Sequence, residues 1–275
     1  MTATTDPGHD WQAAGRAWGH SAIDWSCFYE HYATDIVIAL FAATGVGRGT
    51  DVLDVACGAG LVVRLAAGVG ARVSGIDAAE SLLAIARDRT PGADLRWGSM
   101  FELPWEPASF DVVVSVNGVW GHCADALVEM RRVIRPGGMV GVSFWGEGPP
   151  LDSRRIYKAL IPHIPASDLD GMRATNQIAT PGIAEKMLEA AGFDVVTRDS
   201  RIATIEFPDD DIVWRAVSSW GPIVPALEHS DPDAVRRDVL AALAPCRDRN
   251  GMYRFRNDHQ FVIARAGNPE EGKQQ

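Results

Sequence analysis

The residues best suited to bind a ligand lie in one glycine-rich turn. The sequence DVLDVACGAG, residues 51–60, is typical of a buried strand that runs into a Gly-x-Gly turn at Gly58 and Gly60, ahead of a helix at 61–67. Glycines let the backbone approach a ligand closely, and the helix N-terminus offers unpaired N–H groups. Val63 stands where the dinucleotide-binding pattern has its third glycine. The turn predicts a polar ligand and weakens the case for a dinucleotide.

A second carboxylate follows at a spacing that suits a nucleoside. Asp77 comes seventeen positions after Gly60, at the end of the next predicted strand. A carboxylate there can accept hydrogen bonds from both ribose hydroxyls. Asp54 and Asp77 could instead cap the turn and the next helix. Their register with the glycines favours ligand binding.

Three side chains are candidates for acid–base chemistry. His122 follows the fourth predicted strand, at the carboxyl edge of the sheet where ligands bind in open α/β folds. It is the first candidate for a general base or substrate contact, and the alternative is a capping or surface histidine. His31 and Tyr29, both in the N-terminal segment, come next.

Aromatic residues are the unusual feature of the composition, since the chain has nine tryptophans. Trp11, Trp18, Trp25 and Tyr32 recur every seven residues, although Gly15 and Gly19 argue against one unbroken helix. The usual role of such rings is to pack a core. Trp18 or Trp25 could also cover a bound cofactor, since an aromatic face attracts a cation.

Alternating elements must position these groups. Short β-branched runs alternate with amphipathic stretches from residue 52 onward, which predicts a parallel sheet with helices on both faces. The predicted strands are 51–55, 72–76, 95–97, 111–116, 139–145, 193–197 and 261–265. The predicted fold is α/β, a Rossmann-like, doubly wound, mostly parallel seven-stranded sheet with an α-helical cap.

The chain divides into core and cap segments on this pattern. The core comprises 49–146, which carries the ligand site, together with 180–207 and the final strand in 251–275. The additions are an N-terminal helical lid, 1–48, and two cap inserts, 147–179 and 208–250. The tail after Gly267 is expected to be disordered.

Composition and charge exclude several classes of protein. The net charge of −10 opposes binding to nucleic acid. No apolar run reaches the 18 residues of a membrane span, and the first ten residues have no signal-peptide pattern, so we expect no membrane association and a cytoplasmic location. The four cysteines are scattered, which supports neither disulfides nor a metal site.

Taken together, these residues resemble the class I S-adenosylmethionine-dependent methyltransferases, closest to the small-molecule group typified by ubiquinone and menaquinone C-methyltransferases. The resemblance covers about residues 48–146. It implies S-adenosyl-L-methionine as cofactor, with Asp54 orienting the turn and the ligand's amino-acid moiety, and Asp77 holding the ribose. The other implied or candidate cofactor contacts are Trp18, Ala56, Cys57, Gly58, Gly60, Ser99, Met100, Val116 and Asn117.

The chain departs from the family pattern in two places. Ser99 stands where many relatives have an aspartate that accepts from the adenine amino group. Residues 119–122 read VWGH where many relatives have Leu-His-His. The surroundings of the reaction centre are therefore expected to differ.

The resemblance implies methyl transfer to a small, aromatic or apolar metabolite, with O- or C-methylation favoured over N-methylation. One alternative is a methyltransferase-like protein that binds a ligand without transferring a methyl group. Another is a nicotinamide-dependent enzyme on the same fold. The sequence leaves the oligomeric state open between a monomer and a homodimer.

Overall fold

The computed structural model describes residues 10–166, 169 and 176–267, and the predicted disordered tail lies outside them. Seven strands form one sheet in the order β3-β2-β1-β4-β5-β7-β6. The strands are β1 (Asp51–Val55), β2 (Arg72–Asp77), β3 (Asp94–Trp97), β4 (Phe110–Val116), β5 (Ile134–Trp145), β6 (Phe193–Phe207) and β7 (Tyr253–Ala266). Strands β1 to β5 pair in parallel, and β7 is antiparallel to β5 and β6. The predicted mostly parallel Rossmann-like sheet is confirmed.

Helices flank the sheet and build the cap. Those in the described residues are α1 (Trp11–Gly19), α2 (Ala22–Asp24), α3 (Thr34–Thr44), α4 (Leu61–Gly68), α5 (Glu80–Arg89), α6 (Ala124–Val133), α7 (Arg154–Leu160), α8 (Ile183–Ala190), α9 (Asp210–Ser218), α10 (Val224–His229) and α11 (Pro232–Leu243). A π-helical turn, Trp25–Tyr29, and a 3₁₀ turn, Glu30–Ala33, join α2 to α3. None of the helices in these ranges has the length and apolar character needed to cross a membrane.

The centre of the sheet is where the strand order reverses. Strand β1 pairs with β2 on one side and β4 on the other, through Leu53 with Ser74 and Leu53 with Val113. Leu53 and Val113 are fully buried because helices cover both faces. The carboxyl ends of β1 and β4 therefore lie side by side, at the switch point where open α/β sheets bind ligands.

The last two strands are longer than the sequence analysis predicts. The predicted segments 193–197 and 261–265 are only the inner part of an antiparallel strand pair in which Phe193 pairs with Ala266 and Phe207 with Tyr253. The outer part alternates buried and exposed residues, with Ala203, Ile205 and Phe207 inside. This period-two pattern is that of a half-buried strand, and the prediction stopped too early because it required continuous apolar runs.

The N-terminal segment is broken, as its glycines predict. Helix α1 ends at Gly19, and the backbone passes through the π-helical and 3₁₀ turns before α3 begins at Thr34. Gly15 lies so close to the loop after β2 that an added Cβ would stand 2.0 Å from the Ala78 carbonyl oxygen. The absence of a side chain at Gly15 therefore lets α1 lie directly on the carboxyl edge of the sheet.

Candidate functional site

The glycine-rich turn adopts backbone conformations that its residues suit. Ala56, Gly58 and Gly60 all have positive φ, at 62°, 53° and 87°. A Cβ on Gly60 would lie 2.9 Å from the Cβ of Ala86, so this glycine allows α4 to pack against α5. A Cβ on Gly58 would meet nothing within 4 Å, since this residue faces an open cavity.

Asp77 holds the turn. Its Oδ2 accepts from the Gly58 N–H at 2.7 Å, and its Oδ1 accepts from the Ala79 N–H at 2.7 Å. Asp54, which the resemblance implies as the residue that orients the turn, makes no such bond, and both its carboxylate oxygens are buried without a partner in the described residues. The structure thus assigns the orientation of the turn to Asp77 and leaves Asp54 unpaired behind it.

Three carboxyl groups lie close together around this turn. Burial raises the pKa of Asp54, with the charges of Asp77 and Glu30 adding to the effect. Burial also raises the pKa of Asp77 and of Glu30. Each group is costly to ionise because burial removes the hydration of its charge, and Asp54 in addition faces the like charges of Asp77 and Glu30. A positively charged ligand group would relieve this repulsion.

Glu30 ties the N-terminal segment to the turn. Its Oε1 accepts from the Leu61 N–H at 3.1 Å, at the start of α4, and its Oε2 accepts from Arg89 at 2.5 Å. Arg89 also donates to the carbonyl oxygens of Ala59 and Ser26, at 2.9 and 3.0 Å. One buried ion pair therefore links the turn, α5 and the N-terminal segment.

A cavity of about 360 Å³ opens between this turn and the cap. Its volume is in the range of small-molecule sites. Aromatic side chains from the N-terminal segment, the loops after β3 and β4, strand β5 and the cap contribute to its lining: Trp11, Trp18, Trp25, Tyr29, Tyr32, Phe101, Trp120, Trp145, Tyr157 and Trp220. Asp10 and Asp77 are the only carboxylates, and no lysine or arginine contributes, among the described lining residues.

The structure brings most of the sequence-predicted site residues to this cavity. Those that line it are Trp18, Tyr29, Ala56, Gly58, Asp77, Met100, Val116, Asn117 and His122. The predicted residues that do not line it are His31, Asp54, Cys57, Gly60 and Ser99.

The predicted residues away from the cavity have structural contacts of their own. The Cys57 side chain is buried under Gly75, where a Cβ would lie 3.0 Å from its sulfur. Burial raises the pKa of the Cys57 thiol, so it stays protonated. The Ser99 hydroxyl accepts from the Phe101 N–H at 3.1 Å, which places it in the loop after β3.

The three predicted acid–base candidates lie in different surroundings. His122 is exposed and lines the cavity. Tyr29 lines it with its ring, but its hydroxyl is buried without a partner in the described residues, and burial raises its pKa. His31 is exposed on the 3₁₀ turn and is not part of the cavity wall.

A polar network that was not predicted from the sequence lies at the base of the cavity. Asn117 Nδ2 donates to the Tyr32 hydroxyl at 2.5 Å, and Asn117 Oδ1 lies 3.1 Å from His259 Nε2. Asn117 is a non-glycine residue with φ of 56°. His259 is 1% exposed on β7. Its signal in the sequence is the alternation 253, 255, 257, 259, 261, which puts His259 on a buried face together with Tyr253, Phe255, Asn257 and Phe261.

Within the described residues, no group of three or more His, Cys, Asp or Glu side chains is arranged to hold a metal ion.

Comparisons with known proteins agree with this geometry. Residues 53–142 match the family profile of the methyltransferase domain. A Mycolicibacterium smegmatis protein, named as a probable S-adenosylmethionine-dependent methyltransferase, is 43% identical over 98 residues, or 34% of this chain and 38% of that protein. Demethylmenaquinone methyltransferase of Staphylococcus aureus is 40% identical over 105 residues, or 35% of this chain and 43% of that protein. The matches thus span less than half the length of these relatives.

Solved structures share the fold. Phosphoethanolamine N-methyltransferase 2 of Haemonchus contortus, solved with phosphomonomethylethanolamine and S-adenosylhomocysteine, superposes with a TM-score of 0.58 at 16% identity, over 97% of this chain and 62% of that chain. The [4+2]-cyclase SpnF superposes with a TM-score of 0.56 at 18% identity, over 94% and 93%. The predicted resemblance to class I methyltransferases, and S-adenosylmethionine as cofactor, are confirmed by the domain and relatives together.

Proposed function

We propose that this chain, a member of the class I S-adenosylmethionine-dependent methyltransferases, transfers a methyl group to a small, uncharged aromatic or apolar metabolite at an oxygen or carbon atom. The observation that carries the proposal is one cavity with two unlike ends. One end has the glycine turn and its carboxyl groups, and the other has an uncharged aromatic wall.

The residues at the first end suit the cofactor. Asp54 lies behind the turn, outside the cavity lining, with two buried carboxylate oxygens that have no partner in the described residues, and we expect its charge to favour the ammonium of the methionine part across the turn. Asp77 would exchange its bond to Gly58 for the ribose hydroxyls, and Met100 lies where the adenine is expected. The acidic surroundings favour a cationic ligand over an anionic dinucleotide phosphate, which argues against the nicotinamide alternative.

The cofactor, when bound, supplies a methyl group activated by a positively charged sulfur. The chain's own task is to align the acceptor with that methyl group and to exclude water, and alignment can contribute about 7–11 kcal/mol in favourable cases. The rings of Trp25, Trp145 and Trp220 enclose the acceptor end. An aromatic wall also stabilises a nearby cation.

An aromatic wall without lysine or arginine favours an acceptor that carries no charge. The name of the S. aureus relative, demethylmenaquinone methyltransferase, supports a small-molecule acceptor. His122 is our candidate for the base that takes the acceptor's proton, because it is exposed at the cavity and histidine is the side chain most often used for proton transfer.

Calorimetric titration with S-adenosylmethionine, S-adenosylhomocysteine and NAD is the first test. We expect micromolar binding of the first two and none of NAD. Binding of NAD alone, or of none of the three, would contradict the proposal.

Methyl transfer is then assayed with radiolabelled S-adenosylmethionine and matched panels of phenols, hydroquinones, β-dicarbonyl compounds and amines. We expect label in the oxygen-bearing acceptors and not in the amines. Cofactor binding without label in any acceptor would favour the non-catalytic alternative. His122→Ala should keep cofactor affinity and lower turnover by about 10²-fold or more, the usual range for a general base. Full activity would remove His122 as the base.

A further inference from the structure

We infer that the Tyr32 hydroxyl donates a hydrogen bond to an oxygen atom of the methyl acceptor, held in that orientation by Asn117 and His259. The acceptor class is then a phenol or an enolisable carbonyl compound. Its oxygen becomes negatively charged when its proton passes to a base, for which His122 in the same cavity is the candidate. This inference deepens the proposed function and rests on it.

The direction of the hydrogen bonds carries the argument. Asn117 Nδ2 donates to the Tyr32 oxygen, so this bond uses the hydroxyl as an acceptor. The hydroxyl hydrogen has no acceptor among the residues that the structure describes. Tyr32 and Asn117 both line the cavity. A ligand oxygen there would take the unused hydrogen, because a buried donor without a partner is destabilising.

His259 fixes the orientation of the Asn117 amide. Burial lowers the pKa of His259 to about 3, so the ring is neutral and carries one N–H. In the structure Nε2 lies 3.1 Å from Asn117 Oδ1 and 3.2 Å from the Ser143 hydroxyl oxygen, and we assign the ring hydrogen to Nε2, which faces these two oxygen atoms. With this assignment, the ring donates toward Oδ1 and the carbonyl end of the amide faces His259. Its NH₂ end therefore faces Tyr32.

Aromatic packing holds the Tyr32 ring in place. The ring stacks on Trp145, with centroids 4.9 Å apart and planes at 26°, and Trp145 packs on His259 at 4.6 Å. Burial raises the pKa of Tyr32, and the nearby Tyr157 and Glu30 act in the same direction. The hydroxyl therefore keeps its proton near neutral pH and acts as a donor, not as a base.

The network lies beside the cofactor turn. Gly118, the residue after Asn117, approaches so closely that an added Cβ would stand 2.4 Å from the Cβ of Ala56. Ala56 is the first residue of the turn with positive φ. An acceptor that reaches Tyr32 is thus next to the end of the cavity proposed for the cofactor.

The Tyr32 hydroxyl would act by electrostatic stabilisation without proton transfer. The hydrogen bond strengthens when the acceptor loses its proton, so a donor held in advance favours the ionised acceptor, whose charge is then neutralised as the methyl group is transferred. The same donor would not suit an amine nitrogen that must keep its lone pair free for the methyl group. The inference therefore predicts that acceptors with an oxygen atom at this position are preferred over amines.

The test uses 4-nitrophenol as the probe, with the full-length protein saturated by S-adenosylhomocysteine. The absorbance of the bound phenolate across pH gives the pKa of the bound probe. We expect the wild-type protein to bind the probe with a pKa below that of the free probe. Tyr32→Phe should weaken the preference for phenolate tenfold or more. Tyr253→Phe, which removes a hydroxyl bonded to Asp210, is the matched control and should leave the preference unchanged.

Two further variants separate positioning from folding. Asn117→Asp keeps the shape but replaces the donating NH₂ with an acceptor, so the Tyr32 hydroxyl would turn to it and the preference for phenolate would be lost. His259→Gln keeps a donor and should retain most of the preference, whereas His259→Leu should lose it. Equal effects of Gln and Leu would show a purely structural role and contradict the assignment.

The outcomes distinguish this inference from the proposed function. If S-adenosylhomocysteine does not bind, the proposed function fails. If it binds, any one of three results overturns the inference alone. The first is no binding of 4-nitrophenol to the wild-type protein, and the second is a pKa of the bound probe that is unchanged or raised. The third is an equal shift in the pKa of the bound probe in Tyr32→Phe, with the thermal unfolding of that variant unchanged.

Discussion

The two ends of the cavity differ in how the chain builds them. The cofactor end comes from consecutive elements, with the turn 56–60 and Asp77 separated by a single helix and strand. The acceptor end comes from segments far apart in the sequence, since Tyr32, Asn117 and His259 are separated by 85 and 142 residues. The first is built by local patterning and the second by packing of the N-terminal segment against the end of β4 and against β7.

This difference teaches which end is free to vary. A methyl donor common to a family needs one geometry, and a short strand–turn–helix unit supplies it in many chains. Acceptors differ among relatives, and rings contributed by an added lid and cap can change without disturbing the sheet. The ion pair of Glu30 with Arg89 joins the two ends.

The largest expected effect comes from removing the ion pair of Glu30 with Arg89. Arg89→Ala leaves the Glu30 carboxylate buried without its cation, which typically destabilises a protein by about 3–5 kcal/mol. Urea unfolding measures the loss. Arg72→Ala removes an arginine whose side chain is 67% exposed in its pair with Asp51, and should cost about 0–1 kcal/mol. Equal losses of unfolding free energy in the two variants would show that the ion pair of Glu30 with Arg89 stabilises the protein no more than an exposed pair does.

The next effect falls on the cofactor end alone. Asp77→Ala removes the acceptor for Gly58 and for the ribose, and should weaken S-adenosylmethionine binding by about 1.5–3 kcal/mol. Calorimetry gives the affinity. Asp88→Ala, at an exposed position of α5, is the control and should bind normally. Unchanged affinity in Asp77→Ala would remove the ribose assignment.

The lid over the cofactor end depends on a missing side chain. In Gly15→Ala the new methyl would collide with the Ala78 carbonyl, so α1 must move away from the sheet edge. Overpacking of this kind costs about 1–3 kcal/mol. We expect weaker cofactor binding and a lower Tm. Gly68→Ala, where a Cβ meets nothing within 4 Å, should leave cofactor binding unchanged and should not lower the Tm, since alanine favours a helix more than glycine does. Matching losses in the two variants would mean that α1 does not depend on this close approach.

The smallest effect concerns the unpaired Asp54. Its pKa is raised by burial, so its stabilising contribution is full below the unfolded-state pKa and is lost as pH rises through the folded-state pKa. Asp54→Asn should therefore stabilise the ligand-free protein at neutral pH by about 1 kcal/mol while weakening cofactor binding. Unfolding curves across pH measure this, and an unchanged pH dependence would contradict it.

Asp51→Asn provides the opposite sign. The hydrogen bond from Arg72 is the main cause that lowers the pKa of Asp51, so its contribution is present above the unfolded-state pKa and lost as pH falls through the folded-state pKa. The two variants should thus shift the pH profile in opposite directions. A shift in the same direction would show that burial does not govern Asp54.

Much of the cofactor end is predictable because its signals are local. Strand β1 has the predicted bounds, helix α4 ends one residue later than predicted, and Gly58 and Asp77 line one cavity. The role of each carboxylate at this end is less predictable. Asp77, and not Asp54, accepts the hydrogen bond from the turn, because the two carboxylates lie at neighbouring strand ends and only side-chain packing decides which of them reaches the Gly58 N–H.

The sequence by itself determined the parallel core, the glycine turn and the position of Asp77, because strand periodicity, turn glycines and strand-end spacing each depend on a few neighbouring residues. Only the tertiary structure decided that Glu30 meets Arg89 and that Tyr32, Asn117 and His259 form one network. Those contacts join segments whose own sequences carry no mark of their partners. They form only where β7 inserts beside β5 and the N-terminal segment packs over the sheet edge.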